Sequence, residues 1–160
     1  MIKTKPVRDT KTLDGEPIDP KRSELMARVR SKNSKPEIVV RRMAHRSGYR
    51  FRLHCRYLPG TPDLVFPKLK KIILVNGCFW HRHHGCSRAT TPKTRESYWA
   101  KKFGDNMRRD ESKLTQLIAL GWDVLVVWEC QTFDLSNLSE MVNAFLSDCR
   151  ISSFKSTSAL

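Results

Sequence analysis

The chain has 160 residues and a mass of 18.6 kDa, enough for one hydrophobic core and too short for a second full domain. Hydrophobic residues make up 39%, which can build that core, but no stretch reaches the roughly 20 apolar residues of a membrane span, so a soluble globular protein is expected. Thirty Lys and Arg against 16 Asp and Glu leave a net charge of +14 and a pI near 10.0, which points to a polyanion, above all nucleic acid, ahead of an acidic protein or an anionic membrane surface. The N-terminus lacks the apolar h-region of a secretory signal, and five cysteines make a poor disulfide framework, so a reducing, prokaryotic cytoplasm is the expected compartment.

Residues 1–20 hold Pro6, Gly15, Pro17 and Pro20 among few apolar groups and are expected to form a flexible tail ahead of one domain, 21–150. A short helical stretch, Ser23 to Val29, comes first. Ser34 or Lys35 then leads into Pro36, apolar groups recur at Ile38, Val39 and Met43, and Gly48 stands past the end, which predicts a helix over 36–47. Tyr49, Phe51 and Leu53 alternate with Arg50, Arg52 and His54 at the period of a half-buried strand, its arginine side facing solvent or DNA. Leu58-Pro59-Gly60-Thr61-Pro62 breaks the chain before a short strand, Asp63 to Phe66, and a continuous apolar strand, Lys71 to Val75; these two are expected at the centre of a sheet. Residues 95–120 have helical spacing with an interruption near Gly104 and a stop at Gly121. Val124 to Trp128 forms another buried strand, Leu138 to Leu146 a final helix, and 151–160 a frayed tail. The order α-β-β-β-α-β-α favours an α/β fold with helices on both faces of the sheet.

Charge is concentrated early, for residues 21–56 carry 12 bases and two acids. Such density suits phosphate contact better than a merely solvated helix face. Further on, Cys78-Phe79-Trp80-His81-Arg82-His83-His84-Gly85-Cys86 packs two cysteines and three histidines into nine residues, and Cys130 follows an apolar strand. Thiolate and imidazole at these spacings suit tetrahedral Zn²⁺, held by Cys78, His83, Cys86 and Cys130, with His81 left free. A closed shell of four ligands is structural. Cys55 and Cys149 have no such company and are expected to be buried; His45 and His54 are expected at the surface among arginines, and Trp122 and Trp128 in the core.

Pro59-Gly60-Thr61-Pro62-Asp63, Asn76-Gly77-Cys78-Phe79-Trp80-His81-Arg82-His83 and Val127-Trp128-Glu129-Cys130 together resemble the very short patch repair (Vsr) DNA mismatch endonucleases, over about Ser23 to Cys130 in unbroken order. The resemblance implies a restriction-endonuclease-like core, a mixed sheet flanked by helices with a structural zinc site. It also implies a Mg²⁺-dependent nick on the 5′ side of the thymine of a G:T mismatch. By matching positions, Asp63 would hold Mg²⁺, together with the main-chain carbonyl of Val75, where some relatives have threonine; hard cations want oxygen ligands. Asn76 stands where some members carry histidine. His81 would act as general base or proton relay, Asp110 would orient it, and Glu37 matches a further active-site acid, although an acid in a helix's first turn also answers the dipole. The Glu-x-Lys that many restriction-type nucleases carry on the strand after the first Asp is missing here and from the Vsr pattern, so Mg²⁺ and histidine alone are expected to offset the charge of the reacting phosphate.

Aromatics on a projecting loop can wedge base pairs apart, most cheaply where pairing is already imperfect. The resemblance makes Phe79, Trp80 and Trp99 such a wedge, brings Met26 in from the other groove, and sets Lys102 and Asn106 near the mispaired bases. Three functions compete. The first is a monomeric nicking endonuclease acting on double-stranded DNA at G:T mismatches from 5-methylcytosine deamination, linked to a DNA cytosine-5 methyltransferase and to repair proteins. A restriction-type enzyme cutting matched sites and a zinc-stabilised DNA-binding module without catalysis are the others. Asp63 and His81 argue against the last, because a pure binder needs neither.

Overall fold

The computed structural model describes residues 32–148 together with Glu24. Helix α1 (Lys35–Arg46) begins where Ser34 and Glu37 satisfy each other: the Ser34 hydroxyl accepts from the Glu37 N–H and the Glu37 carboxylate accepts from the Ser34 N–H. Ser34, therefore, is the cap, and Pro36 sits in the first turn, where its missing N–H costs nothing. Of the alternating segment that follows, only Arg52–Leu53 joins the ladder, as strand β1. His54 turns the chain away at φ +48, so Leu53 stays 42% exposed rather than facing the core, while Tyr49 and Phe51 still meet the Phe66 ring edge-on.

Strands β2 (Leu64–Phe66) and β3 (Lys71–Asn76) follow, joined by a 3-10 turn over Pro67–Leu69. Next come helix α2 (Glu96–Ala119), strand β4 (Asp123–Trp128), a second 3-10 turn (Glu129–Phe133) and helix α3 (Leu135–Ser147). The expected break at Gly104 does not occur, and α2 runs through it. A helical glycine costs about 1 kcal/mol, less than burial of Trp99, Phe103 and Leu117 on the same helix contributes at roughly 1.5–3 kcal/mol for each large side chain. Helix α3 starts three residues earlier than its apolar spacing suggests, because the Asp134 carboxylate accepts from the Asn137 N–H at 3.1 Å.

The sheet order is β1-β2-β3-β4, antiparallel except for the parallel pair β3 and β4, whose connection is α2. Alternation along the strands divides the core in two. Leu64, Phe66, Ile73 and Val127 pack with Val40 and Ala44 of α1 and Leu138, Val142 and Leu146 of α3. Val65 and Ile72 point the other way, against Leu117 of α2, Trp122, Leu58 and the buried Cys55. Helices thus cover both faces of a mixed α/β sheet, with β2 and β3 central. Lys71, the one buried lysine among the described residues, donates to the carbonyls of Phe145 and Asp148 and so closes the C-terminal end of α3.

The parallel register sets Asn76 beside Trp128, so the segments after β3 and β4 leave from the same edge of the sheet. Of the predicted 23–29 stretch only Glu24 is described, and it is helical; Met26, Cys149 and the tails 1–20 and 151–160 lie outside the described residues. No helix among the described residues is long and apolar enough to cross a membrane.

Candidate active site

At that edge Cys78, His83, Cys86 and Cys130 converge, their ligand atoms all within 4.8 Å of one another. His83 Nδ1 lies 3.7 Å from Cys78 Sγ and 3.3 Å from Cys130 Sγ. A tetrahedral ion with bonds of about 2.0–2.3 Å sets its donors roughly 3.3–3.8 Å apart, the range in which both His83 distances fall. Without a cation, burial pushes the Cys78 thiol up to about 12, while the backbone N–H of Arg88 pulls that of Cys86 down. The buried sulfur is thus a thiolate only when a metal replaces its proton. The His83 ring stacks on Trp128 at 4.2 Å between centroids, which makes Trp128 a half-buried wall of the site rather than a core residue. His81 and His84 stay out of the cluster.

Beside the cluster opens a cleft of about 580 Å³, and among its lining residues are Glu37, His54, Asp63, Val75, His81, Asp110 and Lys113. Asp63 comes from the Pro-Gly-Thr-Pro loop just before β2, and its Oδ2 accepts from the Val75 N–H at 2.9 Å. Burial raises its pKa, as does the nearby Glu37 carboxylate, against the Val75 N–H, His54 and Arg41. Across the cleft, His81 Nδ1 bonds Asp110 Oδ2, and Lys113 Nζ donates to Asp110 Oδ1 at 3.1 Å. Burial works to raise the Asp110 pKa, but the His81 and Lys113 bonds and charges outweigh it and hold the carboxyl below its ordinary value. Bonded to Asp110 through Nδ1, His81 has Nε2 as its remaining ring nitrogen.

Glu37 is the third acid, and it caps its own helix as well as lining the cleft. Its carboxylate accepts from Ser34 Oγ, from the Asn33 N–H at 2.9 Å and from Arg41 at 2.7 Å. Arg41 in turn meets His54 Nε2 at 3.0 Å. His54 is therefore a half-buried cleft residue, not the surface histidine that its arginine-rich surroundings suggest; His45 is exposed as expected.

A second cleft adjoins the first and leads to the aromatics, lined by Trp80, Lys102, Asn106 and Arg109 besides the shared Glu37, His81 and Asp110. Phe79 meets Trp80, Trp99 and Phe103 edge-on, with centroids 5.0–5.4 Å apart. Phe79 and Trp80 keep part of their surface open, whereas Trp99 is 7% exposed and sits behind them. Asn106 Nδ2 donates to the Trp80 carbonyl at 2.9 Å and so holds this loop against α2; Lys102 is exposed at the rim. Acids facing a histidine across an open cleft can hold a hard cation and accept a proton, the groups that hydrolysis of a phosphodiester uses.

The family model for DNA mismatch endonuclease Vsr matches residues 18–88. The chain is 48% identical over 126 residues to the type II nicking enzyme V.XorIIP of Xanthomonas oryzae pv. oryzae, covering 79% of this chain and 92% of that one. The chain belongs to the Vsr family of DNA endonucleases. Over 109 residues it is 38% identical to the DNA mismatch endonuclease Vsr of Escherichia coli, spanning 68% of this chain and 69% of that protein. Type II nicking enzyme V.NmeAIP of Neisseria meningitidis serogroup A is 34% identical over 130 residues, covering 81% and 92%. As a Vsr-family protein it is a DNA-cleaving hydrolase, and the reading of a binding module without catalysis falls.

The sequence missed three residues of this Vsr-family site. His54 is disguised by the arginines around it, and Phe103 by a helix position that looks like plain core. Lys113 falls three residues after Asp110, and only the helical i, i+3 spacing hinted that it would reach that carboxylate.

Proposed function

We propose that this enzyme nicks the thymine strand of double-stranded DNA on the 5′ side of a G:T mismatch, with Mg²⁺ as cofactor, and so starts very short patch repair of deaminated 5-methylcytosine. The observation that carries this reading is one loop. Phe79, Trp80 and His81 are consecutive between Cys78 and His83, so ring surfaces for a distorted base step and the proton acceptor for the cut move as one body held at a cluster of metal-binding type.

Asp63 and the Val75 carbonyl would hold Mg²⁺. The N–H and C=O of a strand residue point to the same edge, and the Val75 N–H faces Asp63, so its carbonyl does too. Extending the register from Leu64 opposite Ile73 brings Pro62 opposite Val75, and proline has no N–H to occupy that carbonyl. Bound there, Mg²⁺ supplies Lewis-acid stabilisation of the phosphate and acidifies water. His81 Nε2 takes the proton of the attacking water as its oxygen bonds phosphorus and the bond to the departing sugar oxygen breaks; Asp110 steadies the resulting imidazolium through Nδ1, and the departing oxygen takes a proton from solvent. Glu37, tied to Arg41, adds negative charge beside Asp63, which favours a cation there. Phe79 and Trp80 enter the base step, Trp99 follows when the cluster opens, and Lys102 and Asn106 approach the mispaired bases; Met26 is proposed to enter from the opposite groove.

Cys78, His83, Cys86 and Cys130 would bind Zn²⁺, whose preference for mixed sulfur and nitrogen ligands matches the set. The core is proposed to be of the restriction-endonuclease type, a mixed sheet with acids at strand ends. One asymmetric nick needs one active site, so the working unit is a monomer in a prokaryotic cytoplasm, serving sites of a DNA cytosine-5 methyltransferase and handing the nick to repair proteins.

A strand-labelled duplex with one G:T mismatch in several sequence contexts, beside its G:C control, tests this. A Mg²⁺-dependent nick just 5′ of the mispaired thymine, absent with Asp63→Ala, is expected. Cutting of both strands of the matched duplex would replace the reading with a restriction-type one.

A further inference from the structure

The cleft is lined by four carboxylates, those of Glu37, Asp63, Asp110 and Glu111. A phosphodiester entering it meets repulsion that a single divalent ion offsets only in part. Arg41, on the Asp63 side, is committed to Glu37, Asn33 and His54. Lys113 stands on the opposite wall and, among the described residues, is the one lysine or arginine that lines both adjoining cavities, Lys32 lining the first alone and Lys102 and Arg109 the second alone.

Two contacts fix its side chain. Its stem lies on the backbone of Gly60, where an added β-carbon would stand 2.5 Å from Lys113 Cδ. Gly60 also has φ +71, so glycine alone suits both the turn and the contact. The head is held at Asp110 by a 3.1 Å bond, yet the side chain remains 35% exposed and two of its three N–H donors are left for a ligand. Lys113 thereby spans the gap between the loop leading into Asp63 and the helix carrying Asp110.

We propose that Lys113 is the phosphate-binding cation of this cleft, a helix-borne lysine in the role for which the strand after Asp63 provides none. The proposal rests on the nicking function above. Pre-positioned positive charge aimed at a reacting phosphate stabilises it without reorganisation.

Lys113→Met and Lys113→Gln, which keep the stem, and Lys113→Arg, which keeps the charge, test it in the metal-loaded full chain. Binding to a mismatched duplex without added Mg²⁺ is followed against salt, and single-turnover nicking is measured with Mg²⁺ at saturating enzyme. For the Met and Gln variants the slope of log K on log salt should fall by about one, and nicking should slow by roughly tenfold or more; Arg should restore the slope. An unchanged slope with a rate loss matching Asp110→Asn would overturn the proposal, since Lys113 would then only orient Asp110. A reduced slope with an unchanged saturating rate would also overturn it, moving the contact to a flanking phosphate. If the wild type nicks no mismatch, the underlying function fails, and the salt slope still judges Lys113. Gln, read beside Met, keeps the test open should Met alter melting.

Discussion

Two polar centres hang from the same sheet edge and are built on opposite principles. The Cys78, His83, Cys86 and Cys130 cluster is a closed set of soft donors within 4.8 Å of one another, with no room for a substrate. The Asp63 cleft is open, with acids, histidines and Lys113 set among apolar walls such as Leu74, Met107 and Leu114 around about 580 Å³. In the first the donors converge, and a metal bound there would tie the end of β3 to the end of β4. In the second, separation is the function: Asp63 and His81 face each other without bonding, and each is held from behind, by Val75 and by Asp110. A site that stabilises closes its shell, and one that reacts holds its groups apart at some cost to the fold.

The largest effect should come from opening the closed centre. Cys130→Ala is expected to release the metal and lower the melting temperature sharply, since binding energy at a structural site is folding energy; metal analysis and a melt check it, and wild-type melting would refute the ligand set. Asp63→Asn should do the reverse in the open centre. Nicking should fall by roughly 10³-fold or more, while stability at neutral pH rises. The sign follows from the raised Asp63 pKa: the fold favours the protonated form, so the buried carboxylate costs stability once pH climbs above its unfolded value, near 3.8. The gain from Asn should therefore shrink as pH falls toward that value and be gone below it, and a melting series from neutral to acid without Mg²⁺ shows it.

His81→Ala should slow single-turnover nicking by about 10²–10⁴-fold and leave metal content unchanged, because His81 is outside the cluster; loss of metal would mean that the two centres are not separate. The smallest change should follow Asn106→Ala, which frees the Trp80 carbonyl from α2. About 1 kcal/mol of stability and some preference for mismatched over matched duplex should go, with a melt and paired binding curves as the measure.

Much of this was legible because local chemistry dictates it. Ser34, Pro36 and Gly48 bracket α1, and the apolar run from Ile72 made β3 a buried strand. The nine-residue Cys/His run could hardly avoid placing three ligands near one another. Gly104 misled, since a local penalty of about 1 kcal/mol says nothing of the tertiary burial of Trp99, Phe103 and Leu117 that overrides it. Leu53 misled as well, because alternation presumes a strand that continues, and His54 ends it.

By itself the sequence determined the element order, the basic character and the clustering of Cys78, His83, Cys86 and Cys130, for these depend on residue type and short spacing, while Asp63 and His81 stood out only through the resemblance to the Vsr family. Only the tertiary structure decided which groups face one another: the contact of His54 with Arg41, the retreat of Trp99 behind Phe79, and the reach of Lys113 over Gly60. Those contacts join residues 13 to 53 positions apart, and no local rule of spacing constrains groups that meet only when the helices and loops pack on the sheet.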